Sequence, residues 1–580
     1  MDVLFILKFN LAISILFFIL PDYRKFIKIF APIVALINFI FTLSTLNLPA
    51  GKAGSQLLTP YILFDNLSKL IFFFIGFFSF LLSIYSVGYI KERLNKYFFY
   101  FFLTVFSSYG VVLSKNFILF IIFWGITAIT VYTLSQFSKN AEIAGKKTMI
   151  ILGGSDTFLL LGIALLYKLN NSFNISSTNF SLLPFICFLI ASFSKAGAFP
   201  FHTWIPPFAD KSPISVTAFL PASLDKLLGI YLLARTFYIF NIPDVIKIIV
   251  MILGAFTIIS AVFMALAQHG ARKLLSYHAV SQVGYMVLGI GTGNPVGIAG
   301  GIFHMINNTI YKTSLFLGVG QVEKVKGTDK LEELGGLSKV LPFTFISMFV
   351  SALAISGIPP LNGFYSKWLV YQGVIKSLSD NYSLFTVFCL ISALFGSALT
   401  LASFVKLIHA IFFGVKSEEI KAKENVLLII PQIILASSCI FLGIFPHLIL
   451  KSIFQELKII GKWIPGASLI LIILGIILGG VILLIFGINF RTSSSFIGGE
   501  LINKKMYISG IEFYTSIENL RPFRYIYKLQ KKMIFDIYEI CKGIILYFSE
   551  LLSSLHTGFL TNYLSWIFIG VLILFLVFVK

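Results

Sequence analysis

Residues 193–204 read "FSKAGAFPFHTW", directly behind the apolar run "SLLPFICFLIA" at 181–191. Lys195, Gly197 and Pro200 interrupt what would otherwise be an unbroken apolar helix. Glycine admits left-handed backbone, and proline removes a donor and excludes the preceding helical turn. In lipid such irregular backbone survives only where protein or a water-filled cavity satisfies its polar groups. A second stretch, "SGIPPLNGFYSKW" at 356–368, again sets a lysine, Lys367, beside a Gly–Pro break. Two interrupted segments in two halves of a bundle predict inverted repeats with ion sites near the midplane. A pair of structural proline kinks is the plainer alternative, and a lysine at each break weighs against it.

Composition agrees with a bilayer as solvent. Of 580 residues, 58% are apolar and only 12% charged, and 64 are phenylalanine. Soluble proteins carry charge on roughly a quarter of their residues. Runs such as "LIFFFIGFFSFLLSIYSVGYI" and "ASLILIILGIILGGVILLIFGI" exceed the roughly 18 apolar residues of a spanning helix. Hydropathy predicts spans near 3–20, 26–47, 66–89, 97–113, 116–136, 148–167, 181–199, 214–239, 244–267, 274–291, 296–320, 341–357, 384–414, 426–447, 466–488 and 560–579, with 363–378 a half-helix. The first is read as a retained span, because "PDYRKFIK" follows it without a small-residue cleavage site.

The net charge of +21 is collected in alternate loops. Arg24, Lys25, Lys28, Lys91, Arg93, Lys96, Lys139, Lys146, Lys147, Lys211, Arg272, Lys273, Lys324, Lys326, Lys330 and Lys339 fall on one side. The other side offers little beyond Lys52, Lys115, Lys168 and Lys247. This pattern predicts a multi-pass protein of the inner (cytoplasmic) membrane with its N-terminus outside, and no nucleic-acid partner. Cys187, Cys389, Cys439 and Cys541 lack metal-site spacing and read as structural thiols. Neither a dinucleotide fingerprint nor a phosphate loop is present, so no cofactor is expected in this chain.

Ionisable groups inside a bilayer cost on the order of 3 kcal/mol each at its centre, and those that persist need a reason. The candidates are Asp156, Lys195, Asp225, Lys226, His304, Lys312 and Lys367. Within "GIFHMINNTIYKTSLFLG", 301–318, His304, Asn308 and Lys312 recur every four residues and share one helix face. Such a stripe reads as half of a proton wire, or as hydrogen-bonding glue between helices. Asp156, in "GGSDTFLLLG", is a candidate counter-charge for a lysine. Asp225 and Lys226 are neighbours in sequence, so at most one is expected to face any single partner helix. His202, His269, His278 and His409 are read as structural. The stretch 516–559 mixes charges with apolar residues at helical spacing and predicts an amphipathic helix lying laterally.

The segments "KAGAFPFHTWIP", "SPISVTAFLPASLDKLLGIYLLAR", "AQHGARKLLSYHAVSQVGYMVLGIG", "GIFHMINNTIYKTSLFLGVGQV" and "SGIPPLNGFYSKWLVYQG" together resemble one family. It comprises the antiporter-like subunits of respiratory complex I, of multi-subunit cation/proton antiporters and of membrane-bound hydrogenases. The resemblance covers roughly residues 60–415. It implies an all-α integral membrane protein of about 14–16 transmembrane helices, with two inverted five-helix repeats, each holding a broken helix, and a C-terminal lateral helix. The implied division is 1–96, N-terminal helices; 97–240 and 241–415, the two repeats; 416–490, further spans; 491–559, polar segment and lateral helix; and 560–580, an anchor.

By motif, the resemblance assigns proton translocation to Lys195, Lys312, Lys367, Asp156 and His304. The residue reading adds Asp225, Lys226 and Asn308. The family's glutamate after the tryptophan of the fifth span is replaced by Gly125, Asn308 stands for a second histidine, and Pro221 for another. Asp156 or Asp225 is therefore expected to supply the counter-charge to Lys195. The implied function is proton translocation within a redox-driven complex, quinone-reducing or hydrogen-evolving. Partner membrane subunits would accompany it, and Fe–S, flavin or Ni–Fe centres would sit in other chains. The alternatives are a Na+/H+ antiporter subunit, with Na+ as a second ion, and a proton-coupled subunit for inorganic-carbon uptake.

Overall fold

The computed structural model describes residues 3–46, 48, 61–378, 383–413, 423–453, 536–556 and 558–578, with a few single positions between 470 and 528. The chain forms two units, Met1–Phe523 and Arg524–Lys580. The first comprises α1 (Val3–Ile19), α2 (Arg24–Thr45), α3 (Asn66–Tyr89), α4 (Leu94–Leu113), α5 (Phe117–Ser135), α6 (Glu142–Asn170), α7 (Leu182–Ala196), α8 (Ile205–Lys211), α9 (Ile214–Phe219) and α10 (Asp225–Ile239). It continues through α11 (Asp244–Leu266), α12 (Ala271–Gly291), α13 (Pro295–Lys326), α14 (Pro342–Ser356), α15 (Asn362–Leu378), α16 (Ser383–Ile408), α17 (Val426–Ile444) and α18 (His447–Ile453). The second unit holds α19 (Ile537–Leu555) and α20 (Leu560–Phe578). The expected span at 466–488 lies almost wholly outside the described residues. Of the expected lateral stretch, α19 is the main described part.

Short side chains at the loop ends start these helices. Asp65, Asn116, Asn294 and Asn425 each accept a hydrogen bond from a first-turn N–H, at 2.8–3.0 Å. Such caps are worth about 1 kcal/mol each. Eleven helices or helix pairs among the described residues are long and apolar enough to cross a membrane, and α1 and α14 are shorter apolar helices. The polar α12 and α13 fall outside that set, yet nearly every residue on them is buried. They run through the middle of the bundle, where neighbouring helices rather than lipid surround them. That position explains why hydropathy understates them and why they can carry polar groups.

Lipid offers no hydrophobic gain for bringing apolar helices together, so close packing must hold the bundle. Glycines let the backbones approach: a Cβ at Gly284 would lie 2.7 Å from the Gly254 carbonyl, and one at Gly289 2.7 Å from the Gly297 carbonyl. Phenylalanine fills the gaps elsewhere, as where Phe17 of α1 stacks on Phe102 of α4 with ring centroids 5.4 Å apart.

Both sequence breaks are real interruptions of the same local design. After α7, Gly197 takes a left-handed conformation with φ 78°, and Gly357 does so after α14 with φ 83°. At each the chain closes back with a bond from the following N–H, Ala198 to Phe193 O at 2.8 Å and Ile358 to Leu353 O at 3.1 Å. This is the usual way a helix end satisfies its last carbonyls around a glycine. The remaining terminal carbonyls take side-chain donors. Trp204 donates to Ser194 O at 2.9 Å and Lys226 to Ala196 O. At the second break Lys367 donates to Ile355 O at 2.8 Å and Ser397 to Ser356 O at 3.1 Å. The half-helix predicted at 363–378 is α15, which continues the line of α14 in sequence beyond the break.

Candidate functional site

Around the first break, α5, α7 and α10 converge on Lys195. Its ammonium lies 3.3 Å from Asp225 Oδ1 and donates to Thr127 Oγ1 at 2.7 Å, and both charged side chains are buried. The same nitrogen stands 5.4 Å from the centre of the Trp124 ring. Asp225 begins α10 directly after a π-helical turn, Leu220–Leu224, that carries Pro221. Of the two acidic candidates, the structure gives Asp225 to Lys195. Asp156 instead accepts a hydrogen bond from Trp124 Nε1 at 2.7 Å and acts on Lys195 only through its field.

One expectation about α10 is corrected. Asp225 and Lys226 both reach the end of α7, the first at Lys195 and the second at the Ala196 carbonyl. The 100° separation is overcome by the length of the lysine stem and the closeness of the helices. A Cβ at Gly229 would lie only 2.4 Å from the Ala196 amide nitrogen.

On α13, His304, Asn308 and Lys312 are all fully buried. His304 is fixed on both ring nitrogens, by Gln282 Oε1 of α12 at 3.1 Å and Ser366 Oγ of α15 at 2.9 Å. His304 thus joins three helices. Among the described residues, neither the side-chain amide of Asn308 nor the Lys312 ammonium has a hydrogen-bond partner. Lys312 faces the Phe404 ring at 5.3 Å and lies within electrostatic reach of Lys226.

Lys367, on α15, sits beside the second break with Ile355 O and Ser397 Oγ as acceptors at 2.8 and 2.9 Å. It lies 4.9 Å from the centre of the Tyr285 ring, which is itself 5.4 Å from the His304 ring. The predicted residues therefore form two groups, Lys195–Asp225–Lys226 and His304–Lys367, with Lys312 and Asn308 between them along the buried α13. Asp156 stands at the edge of the first group. Thr127, Trp124, Tyr285, Ser397, Gln282 and Ser366 complete these contacts. Sequence reasoning missed them because hydroxyls, amides and aromatics are common in any membrane helix. Only Trp124 carried a signal, through its place beside Gly125. At Gly125 an added Cβ would meet nothing within 4 Å.

At the face that carries the α7–α10 and α11–α12 loops, Arg272 forms a two-pronged pair with Glu323 and donates to Ser212 O at 2.8 Å. A cavity of about 560 Å³ opens there, lined by Lys91, Arg272, Glu323, Lys324, Asp329 and Lys330. Near the opposite end of α12 and α13 lies one of about 390 Å³, lined by Asp244, Lys247, Thr292, Asn294 and Ser377. Among the described residues, no three His, Cys, Asp or Glu side chains are grouped to hold a metal ion.

Among the described residues the chain is thus an all-helical multi-pass membrane bundle with interrupted helices and buried lysines. Residues 114–396 match the family described as NADH:quinone oxidoreductase/Mrp antiporter, TM. The chain is 33% identical over 416 residues to Na(+)/H(+) antiporter subunit A1 of Staphylococcus epidermidis, covering 65% of this chain and 52% of that protein. To the Staphylococcus aureus protein of the same name it is 31% identical over 428 residues, covering 67% and 53%. The chain spans about half the length of these curated relatives. Its fold is similar to a chain of an archaeal membrane-bound sulfane sulfur reductase, with TM-score 0.83, 23% identity, and 98% and 99% of the two chains covered. Chains of the Mrp complex of a Dietzia species (TM-score 0.66, 20% identity, 77% and 94% covered) and of Thermus thermophilus respiratory complex I (0.65, 21%, 77% and 98%) share it less fully.

Proposed function

We propose that this chain carries protons across a membrane, along Lys195, Asp225, Lys226, Lys312, Asn308, His304 and Lys367, as one subunit of a larger membrane complex. The observation that carries this reading is a fully buried lysine, Lys312, with no protein hydrogen bond, set between two groups of buried ionisable residues. A buried charge without a partner is expensive, and burial of such groups in a membrane bundle is the usual mark of an ion path. Water drawn to the unpaired atoms of Asn308 and Lys312 would join the two groups. Asp225 pairs with the Lys195 ammonium, and movement of either partner would break that contact. The cavities at the two faces give solvent a way toward both ends.

In the first reading of its assembly, the chain serves a redox-driven complex whose Fe–S, flavin or Ni–Fe centres lie in partner subunits. The near-complete match of chain length to a subunit of a respiratory complex supports it. In the second, it serves a multi-subunit Na+/H+ antiporter, which the names of its curated relatives support equally. In either, the lysine-rich loops face the cytoplasm and the N-terminus lies outside.

Purification of the tagged chain in mild detergent, with identification of its companions, separates the two. Cluster-bearing and flavin or nickel subunits support the first, and only small membrane subunits the second. Lys195→Ala and Lys312→Ala in the intact complex should abolish proton movement in membrane vesicles. Full proton movement in both variants would sink the proton-path reading itself.

A further inference from the structure

His278 of α12 is fully buried, and among the described residues neither ring nitrogen has a hydrogen-bond partner. An unsatisfied buried polar group costs about 1–3 kcal/mol, so an imidazole left with two demands an explanation. Its surroundings supply one. The ring lies 4.9 Å from that of Phe404 on α16, and the Lys312 ammonium stands 5.3 Å from the centre of the same ring. Two buried groups without protein partners, each able to hold a proton, thus share one aromatic neighbour.

Ser281, one turn further from the α11–α12 loop along α12, and Ser403, next to Phe404 in sequence, are also buried, with no hydroxyl partner among the described residues. Three residues beyond Ser403, about 4.5 Å along the helix axis, Lys406 donates to Leu266 O at 2.9 Å and Gln268 O at 3.2 Å. Those carbonyls belong to the end of α11 and the α11–α12 loop, where His269 is exposed. His278 itself lies seven residues, about 10 Å, inside the start of α12. Lys406 of α16 therefore lies between this loop and the Phe404 ring that His278 and Lys312 both adjoin.

We infer that His278 is a proton relay that feeds Lys312 from the side of the α11–α12 loop. The inference rests on the proton-path reading above and adds a residue and a route to it. In the relay step a proton arriving from the loop side forms an N–H bond at one ring nitrogen. The N–H bond at the other nitrogen breaks, and its proton passes, through bridging water, to the neutral amine of Lys312. No electrons move, and the ring resets by rotation or by tautomer exchange. Neutral imidazole suits this because it accepts at one nitrogen while donating at the other.

The experiment uses the intact complex in membrane vesicles, with proton movement followed by a pH-sensitive dye. His278→Gln keeps a polar side chain of similar reach but cannot pass a proton in this way. His278→Ala opens space for added imidazole. Proton movement should fall on the order of tenfold or more in His278→Gln, as for loss of a positioned acid–base group. Imidazole should restore most of it in His278→Ala and none in Lys312→Ala, a rescue that a packing role would not produce. Transport within twofold of wild type in His278→Gln overturns the relay, as does failure of imidazole to lift assembled His278→Ala. Undiminished transport in Lys312→Ala overturns the proton-path reading instead.

Discussion

Replacing Asp225 by asparagine keeps the volume at the start of α10 and removes one of two buried charges set 3.3 Å apart. At an effective dielectric constant near 20, the lost attraction is about 5 kcal/mol. Thr127 and the Trp124 face remain to Lys195. Both contacts exist in the wild type and cancel in the comparison, whereas asparagine spares the cost of burying the carboxylate. The net loss expected for Asp225→Asn is therefore about 3–5 kcal/mol, as for removal of one partner from a buried pair. Lys195→Met should cost a similar amount. The double variant leaves no charge stranded and should be destabilised by clearly less than the sum. The assay is a double-mutant cycle on purified protein, with denaturation by detergent titration as the readout. Single effects that add within about 0.5 kcal/mol would refute the view that these two charges depend on one another.

Gly229→Ala should lower the thermal midpoint, at a cost of about 1–3 kcal/mol, because its Cβ would meet Ala196 backbone at 2.4 Å. Gly125→Ala, where a Cβ meets nothing within 4 Å, serves as the neutral control. A thermal-shift assay on both variants decides it, and equal midpoints would discredit the close α7–α10 packing. Arg235 grips Asp65 with two bonds of 2.6 and 2.7 Å. Burial raises the Asp65 carboxyl, but the guanidinium outweighs it and holds the group below its ordinary value of 3.8. This contribution is complete above that value and is lost as pH falls through the lowered one. Asp65→Asn should thus be less stable than wild type at neutral pH. The gap should narrow only in acid below pH 3.8, and a gap that closes near pH 6 would contradict the assignment.

The sequence alone determined the class of fold and its two interruptions. Apolar runs of spanning length leave the backbone no choice but helix in lipid, and Gly197 and Gly357 lie where only glycine turns left-handed at little cost. It also exposed the buried lysines, because a charge in an apolar run stands out whatever its neighbours. The fourfold spacing of His304, Asn308 and Lys312 placed them on one face without further help.

Tertiary structure decided the partners. Nothing local distinguishes Asp156 from Asp225 as the partner of Lys195. The choice depends on the approach of α10 to α7 through Gly229 and on Trp124, which takes the Asp156 carboxylate. That Lys226 and Lys367 donate to the terminal carbonyls of the broken helices likewise needs the fold, since Lys226 is 30 residues from its acceptor. His278 looked structural because sequence shows how near a residue lies to the end of a span, but not what surrounds it. Its place beside Phe404, which Lys312 also faces, is a product of three helices meeting. Periodicity fixes which side of a helix a group occupies, and packing between distant segments fixes what that group faces.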